Sequence, residues 1–135
     1  MTDTEAADLV GVDLLDRIRS ATLDVYRCGA AYAESRGVIL ADTKLEFGTV
    51  GDELLAIDEM LTPDSSRYWP ADEYRVGTSP PSFDKQFVRD HYLGIGWDQM
   101  PPAPPLPPEV IEGTRARYVE AYELLTGESF DEWYR

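Results

Sequence analysis

The chain has little from which to build a disulfide framework, a membrane anchor or a basic binding face. Of its 135 residues one is cysteine, Cys28, and one is histidine, His91. A lone cysteine forms no disulfide within the chain, which fits a reducing compartment. In the helical pattern around it, Cys28 is expected to be a small core residue. The 12 basic residues include just two lysines, Lys44 and Lys85, against 26 acidic residues, for a net charge of −14. That balance argues against nucleic acid or an anionic membrane as the main partner and fits a solvated acidic surface. No apolar run approaches the ~18–20 residues of a membrane span, and "MTDTEAADLVG" lacks the basic start of a signal peptide. The expected location is the cytoplasm. No phosphate loop of the G-x-x-x-x-G-K-[ST] type occurs, nor a nucleophilic cysteine motif. His91 is expected on a helix face, without a catalytic part.

What is there suits one folded domain. The chain is 43% hydrophobic, with three Trp, eight Tyr and four Phe, enough apolar surface for a real core. Residues 12–35 read as a helix, because Leu15, Ile18, Thr22, Val25, Cys28 or Gly29, and Tyr32 recur at helical spacing, and Gly37 follows as a stop. Two β runs, 38–48 and 53–61, flank "TVGDE", where Gly51 and Asp52 supply a turn. Residues 62–82, rich in Pro, Ser, Asp and Gly, read as a loop that opens a helix at about Ser82. "MPPAPPLPP", 100–108, reads as an extended stiff spacer. The last helix is expected from Pro108 to Thr126, ended by Gly127.

The strand "ILADTKLEFG" raises a chemical question. Strands alternate faces, so Asp42, Lys44 and Glu46 line one side. A turn centred on Gly51 and Asp52 gives pairs whose numbers sum to about 104, which sets Glu46 opposite Asp58. Two opposed carboxylates repel unless a cation sits between them. Such a pair suits Mg²⁺, which takes few protein ligands and completes its shell with water and phosphate oxygens. The same spacing also describes an exposed polar face of a half-buried hairpin.

"IDEMLTPDSSRYW", 57–69, follows at once. Its Asp64, Ser65, Ser66 and Arg67 lie where the chain leaves the strand, and hydroxyls with an Arg fork suit a phosphate or carboxylate ligand. "SFDKQFVRD", 82–90, opens a helix whose first N–H groups favour anions, with Lys85 and Arg89 four apart on one side. For Asp84 and Lys85 the alternative is an ordinary helix-start charge pattern. Both lysines fall in these candidate stretches.

"GVILADTKLEFG", "IDEMLTPDSSRYW", "SFDKQFVRD" and "PPAPPLPPEVIEGTRARYVEAYELLTG" closely resemble, in order, the phosphoribosylaminoimidazole-succinocarboxamide synthase (SAICAR synthetase) family. The resemblance runs from about Glu5 to Gly127. It implies an α+β fold related to the ATP-grasp enzymes, here a β-hairpin with packing helices. It implies a carbon–nitrogen ligase of purine biosynthesis, which joins L-aspartate to carboxyaminoimidazole ribonucleotide at the expense of ATP, giving SAICAR, ADP and phosphate. Carried to matching positions, it makes Glu46 and Asp58 the Mg²⁺ ligands beside the ATP phosphates. Asp42 and Lys44 become charged residues of the reacting centre. Asp64, Ser66 and Arg67 face the imidazole ribonucleotide, with Arg67 near its phosphate. Arg89 stands at the same substrate's end of the cleft, and Asp84 and Lys85 share its motif.

Acyl-phosphate chemistry of this kind asks the protein for metal ions, cations and a rigid cleft more than for acid–base groups. The residue types agree. The resemblance also implies a comparable stretch ahead of this one, a lysine-bearing, glycine-containing sheet that covers ATP. That half is expected to be absent here and to be supplied, if at all, by a separate N-terminal chain. The alternative is a non-catalytic remnant that folds and binds a nucleotide or a partner.

Overall fold

The computed structural model describes residues 1–78, 80–83 and 85–133. A capping box opens the first helix, α1 (Asp3–Val10): Glu5 N donates to Thr2 Oγ1 at 3.3 Å and Thr2 N to Glu5 Oε2 at 2.6 Å. Two orphan donors of the first turn are thereby satisfied. Gly11, at φ 85°, separates α1 from α2 (Val12–Ser35), which has the expected bounds. Cys28 is exposed, contrary to the core role expected of it. The neighbouring residue, Gly29, takes the inward position instead, and a step of one residue on a helix turns a side chain about 100° away.

The run expected as one strand over 38–48 is two. β1 (Val38–Thr43) ends before Lys44, and β2 (Glu46–Val50) begins a separate hairpin with β3 (Glu53–Ile57). β1 pairs antiparallel with β4 (Ser66–Pro70), which lies inside the segment read as loop. The aromatic pair Tyr68 and Trp69 makes that short stretch a strand, and β1 gives its backbone groups a partner. β3 stops at Ile57 rather than 61, since Asp58 and Leu61 take positive φ of 68° and 57° and cannot continue a ladder.

The third helix, α3 (Gln86–Gly94), starts later than the expected Ser82. Ser82 Oγ and Phe83 N both donate to Tyr68 O, at 3.3 and 3.0 Å, so this segment is stitched to β4 before the helix begins. α4 (Pro108–Thr126) and its stop at Gly127, φ 75°, are as expected. A short α5 (Phe130–Trp133) folds back on α4, Phe130 meeting Tyr122 edge-on at 5.4 Å.

The core lies where α2, the β1–β4 pair and α4 meet: Ala33, Val38, Leu40, Tyr68, Phe83 and Ala121, with Tyr26, Ala30, Leu61 and Leu125 packed on them. Tyr32 Oη and Arg36 Nε both donate to Leu125 O, at 2.7 and 3.2 Å, tying the end of α2 to the end of α4. The hairpin stands apart from this core. Val50, Leu55 and Ile57 are exposed, and its turn is held to α2 by Arg17 Nη2 donating to Asp52 O at 2.8 Å. The α+β class expected from the sequence is the class observed.

Candidate functional site

The candidate residues gather where β1 ends and β4 begins. Lys44 N donates to Ser65 O at 2.8 Å just beyond the last β1–β4 pair, and the chain then turns away into the hairpin. This junction brings the start of the hairpin, the 58–65 loop and the two strand ends side by side. The loop is shaped by Thr62. Its hydroxyl donates to Glu59 Oε2 at 2.6 Å and accepts from Asp64 N at 3.2 Å and Ser65 N at 3.3 Å. Tyr68 Oη, from the buried side, donates to Leu61 O at 2.6 Å and anchors the same loop. Thr62, Glu59 and Tyr68 were not singled out from the sequence. "T-x-D-S" carried a signal, because a Thr hydroxyl caps amides two and three residues on.

Each of three cations is held by a carboxylate of the same neighbourhood: Arg67 by Asp42, Lys44 by Glu46, and Lys85 by Asp64. Arg67 makes a fork, Nε donating to Asp42 Oδ1 at 2.9 Å and Nη2 to Oδ2. The Arg67 hydrogen bond and charge hold the Asp42 carboxyl below its ordinary range. Lys85 Nζ lies 2.8 Å from Asp64 Oδ1. It is the main cause of a lowered Asp64 pKa, to which Glu59 and Lys44 also contribute. The Lys44 ammonium is stabilised first by Glu46 and then by the charges of Asp58 and Glu59, which raise its pKa. Both lysines of an acidic chain therefore sit among these acids.

Other expectations are placed differently. The turn pairs Val50 with Glu53, so hairpin partners sum to 103 and Glu46 faces Ile57 rather than Asp58. Asp58 lies one residue past the ladder, and its turned-out backbone brings its charge to Lys44 from outside the strand. Among the described residues no three acidic, His or Cys side chains gather as a ligand set for one ion. Ser66 is buried, its hydroxyl donating to Thr43 Oγ1 at 2.9 Å, so it fixes the strand ends together. Arg89 follows Lys85 by one helical turn, Arg89 N donating to Lys85 O at 3.1 Å. It lines an open cleft with Tyr92, Leu93, Trp97 and Gln99 and, among the described residues, forms no ion pair. Asp84 lies outside the described residues.

Three cations, each paired with a carboxylate, and a hydroxyl-shaped loop thus gather at this strand junction, on a fold with known counterparts. The chain is 60% identical over 123 residues to phosphoribosylaminoimidazole-succinocarboxamide synthase of Stenotrophomonas maltophilia, covering 90% of this chain and 40% of that protein. It superposes on SAICAR synthase from Saccharomyces cerevisiae complexed with SAICAR at a TM-score of 0.86 and 41% identity, covering 96% of this chain and 44% of that one. A SAICAR synthetase in complex with ADP matches at a TM-score of 0.68 and 27% identity, over 96% of this chain and 45% of its own. The chain thus spans about 40% of the length of the curated relatives it matches. No helix among the described residues is long and apolar enough to cross a membrane. The SAICAR synthetase family model matches residues 1–104, and with the identity to curated members this places the chain in the SAICAR synthetase family.

Proposed function

We propose that the chain provides the ribonucleotide and metal side of a cytoplasmic purine-biosynthetic ligase. In the reaction, ATP drives the joining of L-aspartate to carboxyaminoimidazole ribonucleotide, giving SAICAR, ADP and phosphate. The observation that supports this best is the Asp42–Arg67 fork beside the Lys44–Glu46 and Lys85–Asp64 pairs, because the ligands are anions and these are the cations positioned to meet them. Arg67 offers a planar fork matched to a phosphate group. Lys85, just before α3, and Arg89, on its first turn, extend the positive face along the cleft. Asp64, on the Thr62-shaped loop, orients Lys85.

Lys44 and Asp42 flank the junction where the carboxylate to be activated would lie. A Mg²⁺ ion held with the ATP phosphates by Glu46 and Asp58 would supply charge neutralisation for phosphoryl transfer. Glu46 and Asp58 fit it in kind: hard oxygen donors, two of them, which is as many as an ion sharing its shell with phosphates and water needs. Lys44, between them in charge, is the group that such an ion would free for substrate. The remaining length of the family supplies the second wall of the cleft, which excludes water from the reactive acyl phosphate.

Purified alone, the chain is expected to form no SAICAR. Co-expressed with a polypeptide carrying the remaining length of a relative, it is expected to turn over. In that assembly Arg67→Ala should raise the apparent constant for the ribonucleotide well above any change for ATP. Turnover by the isolated chain, or equal effects on the two substrates, would overturn the corresponding part of the reading.

A further inference from the structure

We propose that Asp42 is a built-in occupant of Arg67, holding the guanidinium in a fork until a phosphate group displaces it; this rests on the phosphate role given to Arg67 above. The strand register carries the inference. From Val38↔Pro70 to Leu40↔Tyr68 the ladder is regular, and its continuation would set Ala41 against Arg67 and Asp42 against Ser66. A bulge after Leu40 instead puts Asp42 against Arg67 and Thr43 against Ser66. An extra residue in one strand re-aims the side chains that follow it. Here it turns a carboxylate onto the arginine.

The contact has the form of a ligand contact. Asp42 takes the Nε–Nη2 edge with both oxygens, the edge and spacing with which a guanidinium also receives two phosphate oxygens. The pair is also easy to exchange. The Asp42 and Arg67 side chains are 53% and 51% exposed, and an exposed ion pair in water adds little net stability. A phosphate monoester carries nearly two negative charges at neutral pH against the single charge of Asp42. Beneath them, buried Ser66 bonds Thr43 and fixes the two strand ends, so the exchange moves side chains and leaves the ladder intact. Lys44 and Lys85 are likewise held by Glu46 and Asp64. An arriving polyanion therefore meets a neutralised surface at three of the four cations of the candidate site, Lys44, Arg67 and Lys85.

The test is a titration of the whole chain with inorganic phosphate, followed by the Arg67 Nε–H resonance and the Asp42 carboxyl carbon resonance. In the unaltered chain both are expected to move together with one midpoint; movement of Arg67 with Asp42 unchanged would refute displacement. Asp42→Asn, with Asp42→Ala as a second variant, should bind phosphate about two- to fivefold more tightly, as expected for removing a weak competing pair. Arg67→Ala should abolish binding in either background. Equal or weaker binding in the Asp42 variants, with Arg67→Ala still defective, would overturn the inference alone: Asp42 would then orient Arg67 rather than compete for it. If Arg67→Ala binds phosphate as the unaltered chain does, the phosphate role of Arg67 falls, and the inference falls with it.

Discussion

Replacing Tyr68 by Phe isolates one hydrogen bond that joins the core to the site. Tyr68 is 3% exposed, and its hydroxyl donates to Leu61 O at 2.6 Å. Phe keeps the ring and its packing, so the apolar contribution is nearly unchanged. What is lost is the bond itself and the pairing of a partly buried carbonyl, together about 1–3 kcal/mol. Leu61 holds a positive φ of 57°, which costs a non-glycine residue of order 1 kcal/mol and persists because Tyr68 fixes its carbonyl. Freed, Leu61 relaxes, and with it the loop in which Thr62 caps the Asp64 and Ser65 amides. Thermal melting should show a drop of about 6–10 °C for a loss of about 2 kcal/mol in a domain of this size. Hydrogen exchange at the Asp64 and Ser65 amides should quicken. Burial also raises the Tyr68 phenol above its ordinary 10.0. Its contribution is complete below that value and is lost as pH rises through the higher folded value. The variant should therefore have a flatter alkaline stability limb. A Tm within about 1 °C of the parent, with unchanged exchange, would refute the anchoring role.

The Asp42–Arg67 fork predicts the acid limb. Arg67 holds the Asp42 carboxyl below 3.8, so its contribution is present above that value and disappears as pH falls through the lower folded value. Asp42→Asn should flatten stability below pH 3.8 by no more than about 1 kcal/mol, the range of exposed pairs, as read by urea unfolding across pH; an unchanged limb would exclude the pair as a contributor. At the end of α4, Gly127 has φ 75°, and an added Cβ would stand 2.8 Å from Arg36 Nη2. Gly127→Ala should cost about 1–2 kcal/mol through the left-handed cap and the displaced Arg36. Chemical denaturation checks it, and full retention of stability would show that the α2–α4 tie bears no load.

The sequence by itself determined the elements whose hydrogen bonds are local. α2 and α4 matched their expected bounds because helical bonding runs four residues along the chain, so spacing and a glycine stop encode both ends. α1 was not read from the sequence, although Thr2 and Glu5 carried a local signal for it, since a capping box lies within the first turn. The motifs likewise identified the charged residues that the structure brings together at the strand junction. Tertiary structure alone decided how they meet. Tyr68 and Trp69 suit β4 to a strand, but its partner β1 lies more than twenty residues earlier, and nothing within "SRYWP" encodes that pairing. A one-residue difference in turn register moved Ile57 opposite Glu46 and left Asp58 outside the ladder. Strand pairing carries a period of two, so such a slip exchanges faces. The bulge that turns Asp42 onto Arg67 arises from the same non-local pairing, whose register only the folded sheet fixes.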